Sequence, residues 1–164
     1  MSPVALVFRS THYDLIKDED EEKLELRSRY YPTSSYENNV TTYIKFYKDR
    51  KIIDVYRVRK NWDGTGHDDI AYVEELSDDE FNRLLEAARK VENVEDFDNL
   101  VKEIRKVSES IEEKYKKKLD ELINEFISLD IVQEKLRNIQ DEETKKELIE
   151  RLKNEIDDLL SPDP

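Results

Sequence analysis

Two apolar rhythms divide the chain. Up to about Leu76 apolar and polar positions mostly alternate, and beyond it the apolar positions recur every three or four residues. The strongest alternation is VTTYIKFYKDRKIIDVYRVRKNW, from Val40 to Trp62. It predicts two strands of residues suited to a pleated surface, joined by a tight turn with Asp49-Arg50 at its tip. With a two-residue loop, Lys48 faces Lys51 and the pairing counts back from there. Phe46 then faces Ile53 and Ile44 faces Val55 on an aliphatic side. Tyr47 faces Ile52, Lys45 faces Asp54 and Tyr43 faces Tyr56 on an aromatic side that also carries Val58.

The flanking segments fall into place around this hairpin. Val4 to Arg9 reads as a short buried strand, and Tyr13 to Glu22 as a solvated acidic loop with Leu15 and Ile16 packing back. Lys23 to Tyr31 alternates, with Leu24, Leu26, Ser28 and Tyr30 on one face and Glu25, Arg27, Arg29 and Tyr31 on the other. PTSSYENN, bearing Tyr36, reads as a loop. NWDGTGHDD, Asn61 to Asp69, reads as a second loop that holds the single tryptophan and both glycines. Asp69 to Leu76 closes the sheet, with Ile70, Tyr72 and Glu74 opposite Ala71, Val73 and Glu75.

Ser77-Asp78-Asp79-Glu80 is a capping box, and Phe81, Leu84, Leu85, Ala88 and Val91 follow at helical spacing. This helix is expected on the aliphatic face, against Ile44, Phe46, Ile53 and Val55. From Val94 the pattern becomes long helix. Phe97, Ile104 and Ile111 step by seven, with Leu100, Val101 and Val107 between them. A second stripe runs from Tyr115 to Leu129, with a break capped by Asp130 and a last helix capped by Asp141. These extended stripes read as coiled coil, folded back as a helical hairpin or shared between subunits. The fold class is thus α+β, a small antiparallel sheet packed by a capped helix and followed by long coiled-coil-like helices. The expected domains are 1–93 and 94–164.

Composition changes this picture in one respect. The chain of 164 residues carries a formal charge of −13, yet Leu26 to Trp62 holds nine Lys/Arg against three acids and eight of the fifteen aromatics. That piece is +6, leaving −19 on the remainder, and local potential decides where a polyanion docks. The absence of cysteine excludes disulfides, zinc–thiolate sites and thiol catalysis. No apolar run spans a membrane and no signal peptide is legible, so a soluble cytoplasmic protein is expected. The Glu/Lys bias with little Gln fits a hyperthermophile.

The candidate chemistry is therefore single-strand recognition. Tyr43, Tyr47, Tyr56 and Trp62 are the candidates to stack bases, and Arg27, Arg29, Lys45, Arg57, Arg59 and Lys60 to hold phosphates. Arg57 and Arg59 share the parity of Val55, so they are expected to lie beyond the end of the core, or the register to shift there. The bland alternative is a second layer over the tyrosines, which would make them ordinary half-buried residues. In NWDGTGHDD, Gly-Thr-Gly offers backbone N–H groups to a phosphate, but no P-loop lysine follows. Asp63, His67, Asp68 and Asp69 match neither a calcium nor a zinc signature. No nucleophile–base pair stands out, so no catalytic residue, metal or cofactor is assigned.

The order of parts, a basic aromatic β domain, the capped helix SDDEFNRLLEAARKV and a zipper-like tail, resembles the ThermoDBP family of archaeal single-stranded DNA-binding proteins. The resemblance is one of layout over the whole chain, and the acidity of this chain departs from it. It implies an aromatic cleft with basic rims that holds single-stranded DNA or RNA, and a homo-oligomer formed by the C-terminal helices. The competing expectation is a protein-interaction module assembled through the helical tail.

Overall fold

A computed structural model of the protein describes residues 5–32 and 38–160. Most of PTSSYENN, including Tyr36, lies outside the described residues. Six strands form one antiparallel sheet whose spatial order is the chain order. They are β1 (Ala5–Arg9), β2 (Tyr13–Glu19), β3 (Lys23–Tyr30), β4 (Asn39–Tyr47), β5 (Ile52–Asn61) and β6 (Gly64–Val73). Four helices follow, α1 (Asp78–Arg89), α2 (Val94–Ile127), α3 (Asp130–Arg137) and α4 (Glu142–Leu160). The protein is α+β, as the two rhythms predict.

The β4–β5 register is the predicted one, with Tyr43↔Tyr56, Ile44↔Val55, Lys45↔Asp54, Phe46↔Ile53 and Tyr47↔Ile52. The turn spans Lys48 to Lys51 and closes with Lys51 at φ 53°.

Three segments differ from the sequence reading. Tyr13–Glu19 is a strand rather than a loop. Its acidic end is a turn device. Asp20 Oδ1 accepts from the N–H groups of Glu22 and Lys23 at 2.8 Å each, so the acids build the β2–β3 hairpin instead of floating in solvent. β1 is an exposed edge strand, not a buried one, with Leu6 half exposed. The segment after Asn61 is also no loop. β5 and β6 are joined by Trp62-Asp63 alone, so β6 begins at Gly64.

Each edge carries a bulge. β1 slips between Leu6 and Phe8, and β6 slips where Val55 pairs with Ala71 but Tyr56 with Asp69. The extra residues, Val7 and Ile70, both pack on the core. The bulge therefore puts Ile70 and Ala71 on the same side, which strict alternation does not allow.

α1 and the start of α2 cover one sheet face. Ser77 caps α1, its Oγ accepting from Glu80 N–H at 3.2 Å. The Glu80 carboxylate does not close the box but binds Arg83. Phe81, Leu84, Leu85 and Ala88 of α1, with Phe97, Leu100 and Ile104 of α2, bury Leu15, Leu24, Leu26, Ile44, Phe46, Ile53, Val55 and Val73. Phe46 and Phe81 meet edge-on, ring centres 5.9 Å apart. Such a pair adds about 0.5–1.5 kcal/mol to its burial. Outside the core, Glu19 is gripped by Arg89 (2.8 Å) and Lys48 (2.9 Å). The Arg89 hydrogen bond, helped by Lys48, outweighs burial and holds the Glu19 carboxyl down to about 2.

The chain forms two compact units, Met1–Ser110 and Ile111–Pro164. The first includes the start of α2, whose Phe97, Leu100 and Ile104 are core residues. In the second, the far half of α2 lies antiparallel to α4. Tyr115 OH donates to Asp157 Oδ1 at 3.4 Å, and Lys153 Nζ is 3.6 Å from Asp120 Oδ1. Ile123 is buried, whereas Leu122, Leu129, Ile131 and Leu159 are at least half exposed. Among the described residues no helix is long and apolar enough to cross a membrane.

Candidate functional site

Paired residues of an antiparallel sheet share a face, so the register sorts the side chains into two sets. One set is the core just described. The other is an open face built from cross-strand rows. Asp18, Glu25, Lys45, Asp54 and Tyr72 form one row. Ile16, Arg27, Tyr43, Tyr56 and Asp69 form the next, and Asp14, Arg29, Thr41, Val58 and His67 the one beyond.

The rings on this face stack on one another. Tyr43 and Tyr56 lie 4.8 Å apart at 13°, and His67 continues the stack 5.1 Å from Tyr56 at 20°. Lys45 Nζ sits 5.1 Å from the Tyr56 ring centre and 5.6 Å from that of Tyr43, within range of cation–π attraction. Arg50 lies 5.5 Å from the Tyr47 ring. The facing sides of Tyr43 and Tyr56 are thus already used against each other. They are not separate platforms. The stack ends at His67 on the edge strand, where the ring is exposed.

Carboxylates lie among the cations. Glu25 is buried and faces Arg27 Nε at 3.3 Å and Lys45 Nζ at 3.5 Å. The Arg27 Nε is buried too and makes no hydrogen bond, so this contact is an ion pair only. Burial pushes the Lys45 ammonium down, but the Tyr56 hydroxyl and the charge of Glu25 more than offset it, and the net direction is up. Asp54 moves the other way from most carboxylates. Burial raises it, the neighbouring Asp69 raises it further, and Lys45 and His67 only partly oppose them. Arg29 Nε donates to Thr41 Oγ1 at 3.1 Å. Arg27, Arg29, Lys45 and Lys60 are thus interleaved with Asp14, Glu25, Asp54 and Asp69, and the face is nearly charge-balanced.

Seven of the ten residues singled out in the sequence share this face, namely Arg27, Arg29, Tyr43, Lys45, Tyr47, Tyr56 and Lys60. Arg57 and Arg59 do not. They pair with Thr42 and Val40 and project to the helix side of the sheet, where desolvation raises the carboxyl of Asp98 of α2 and the charges of Lys102 and Arg57 partly oppose it. The slip beside Tyr56 lies in β6 and leaves the parity of β5 unchanged, so the expected shift that would bring them round is absent. Trp62 belongs to neither face. It stands 82% exposed in the β5–β6 turn.

Two residues of the open face escape a reading by composition, His67 and Tyr72. Strand alternation counted from Gly64 places His67 beside Tyr56, but the Ile70 bulge alone brings Tyr72 back to the same side. The acids of NWDGTGHDD are dispersed. Asp68 binds Arg59 at 3.0 Å on the helix side, while Asp69 Oδ1 lies 2.9 Å from His67 Nε2 on the open side. Among the described residues no three His, Asp or Glu side chains converge to hold a metal ion. No known family model, curated protein or solved structure matches the chain.

Proposed function

We propose that the protein is a non-enzymatic binder of single-stranded nucleic acid, DNA or RNA, that works through the open sheet face and as a homo-oligomer of its C-terminal helices. The observation that carries this reading is the Tyr43–Tyr56–His67 stack with Lys45 beside it, on a sheet face that the core helices leave free. A base extends the stack at the exposed side of His67, and the hydroxyl edges of the tyrosines meet sugars and bases. Arg27, Arg29, Lys45 and Lys60 take the phosphates, with Glu25 holding two of these cations in place. The layout shared with the ThermoDBP family agrees with this assignment. The exposed Leu122, Leu129, Ile131 and Leu159 supply the apolar surface for self-association.

The test is a titration with single-stranded DNA, single-stranded RNA and duplex, followed by Trp62 fluorescence and gel shift at two salt concentrations. Binding of single strands that weakens with salt, and a loss of about 1–3 kcal/mol in His67→Ala, the exposed end of the stack, is the expected result. No complex with any single strand would overturn the reading.

A protein partner is the second reading. The interleaving of Glu25, Asp54 and Asp69 with the cations favours it, since a charge-balanced face with exposed tyrosine suits a protein surface as well as a polyanion. Cross-links from Tyr72 to a captured protein, in a chain that shifts no oligonucleotide, would decide for it.

A further inference from the structure

Four features at the far end of the β5–β6 hairpin have no part in the open face. Arg57 and Arg59 lie on the helix side of the sheet. Trp62 is 82% exposed in a two-residue turn. Gly64 and Gly66 strip the edge strand of side chains opposite Asn61 and Arg59. Lys60, between the two arginines and the tip, points to the other face.

These features fit together around Arg59. Its guanidinium lies over Gly66, where an added Cβ would stand 3.2 Å from Nη2. Asp68 holds it side-on, with Nε 3.0 Å from Oδ2 and Nη2 3.3 Å from Oδ1. That pairing leaves Nη1 with no partner among the described residues, and it fixes the group before any ligand arrives. Arg57 is exposed on the same face, with Nε 3.4 Å from Thr42 Oγ1. Two residues along a strand separate the arginines by about 7 Å, close to the step between successive phosphates of an extended strand. The row through Arg59 continues over Val40 to Tyr30 and Tyr13, whose rings meet at 4.9 Å. Of the nearby acids, Asp68 is engaged by Arg59 and Asp69 by His67, Asp98 of α2 lies within electrostatic reach of Lys102 and Arg57, and Asp63 lies exposed in the turn.

We infer that the β5–β6 hairpin end is a two-sided arm around which the bound single strand turns. Its phosphates pass from Lys60 on the open face, past Trp62 and the bare glycine edge, to Arg59 and Arg57 on the helix side, and a base reaches Tyr30 beyond them. The inference rests on the open-face reading and lengthens the path of the same ligand.

The experiment uses the full-length protein with fluorescently labelled oligo-dT of about four and about twelve nucleotides, lengths that bracket one face and both faces. In Arg57→Ala/Arg59→Ala the affinity for the longer oligomer is expected to fall about tenfold, and its slope of log K against log salt to flatten by about 1.4. The shorter oligomer should bind as it does to the wild type. Arg57→Lys/Arg59→Lys should keep the slope, since the charge is retained. Ring resonances of Tyr30 should shift with the longer oligomer and not with the shorter. An unchanged thermal midpoint in both double variants assigns the losses to binding. If the alanine variant binds both lengths as the wild type does, or weakens both equally, the wrapped path is wrong while the open-face reading stands. If the wild type binds neither length, both fall.

Discussion

The two faces of this sheet are made from alternate residues of the same strands, yet they are held by different forces. On the helix side Leu24, Leu26, Ile44, Phe46, Ile53 and Val55 are fully buried, and burial of apolar surface does the work. On the open side Tyr43, Lys45, Tyr56 and Arg27 remain partly exposed and support one another through stacking, cation–π contact and ion pairs over Glu25. The first face can be altered only at the expense of the fold. The second can change with little loss of stability.

The sharpest way to break this comparison is a matched pair of truncations. Phe46→Ala removes a ring with no exposure that packs on Phe81, and is expected to lower stability by about 3–5 kcal/mol. Tyr43→Ala, three positions earlier on the open face, should lose only about 1 kcal/mol. Urea unfolding of both variants measures the difference, and equal losses would mean that the open face is covered.

A smaller effect separates the apolar core from the ion pairs at its border. Glu19 has a folded-state value of about 2 against an ordinary 4.5, because Arg89 and Lys48 grip the charged form. Its stabilising contribution is therefore complete above about pH 4.5 and is lost as pH falls through about 2. Glu19→Gln should lower stability by about 1 kcal/mol at neutral pH, the exposed geometry keeping the figure modest. The gap between variant and wild type should close by pH 2 in urea midpoints. A gap that persists there would assign the loss to packing instead.

The smallest expected change is at the bare edge. Gly66→Ala puts a methyl group 3.2 Å from Arg59 Nη2, a contact the flexible side chain can relieve by moving a few tenths of an ångström. Stability should stay within about 0.5 kcal/mol, whereas the side-on pairing with Asp68 should loosen. Broadened Arg59 Nε–H resonances in NMR would report this, and an unchanged signal would show that the glycine does not position the guanidinium.

The parts of the fold legible in the sequence were those where one physical signal dominates. In the β4–β5 hairpin the pairs from Tyr43↔Tyr56 to Phe46↔Ile53 are chemically matched, so a single count from the turn fixes the register. In α1 the cap and the apolar spacing agree. β2 is hidden because its acids read as solvated charge, whereas Asp20 makes the turn and Glu19 finds Arg89 seventy positions away, a contact no local pattern records. The second half of β6 is legible from Asp69 on, but its first half is hidden because two glycines and an aspartate, poor strand formers, dominate it, and its bulge breaks the alternation. Parity points Arg57 and Arg59 to the helix side but leaves a register shift open, and only the unbroken β4–β5 pairing excludes it. The stacking of Tyr43 on Tyr56 is not legible in this way, because facing positions give proximity but not ring orientation.

Every strand pairs with its neighbour in the chain, and the order β1 to β6 is never interrupted by a distant crossover. Assembly of the sheet therefore proceeds through closures of two to eight residues, which are entropically cheap and fast. The slow search that limits many all-antiparallel domains is not imposed here. A chain emerging from the ribosome can add its strands one by one, and only the helix-side core must wait for α1 and α2 to follow.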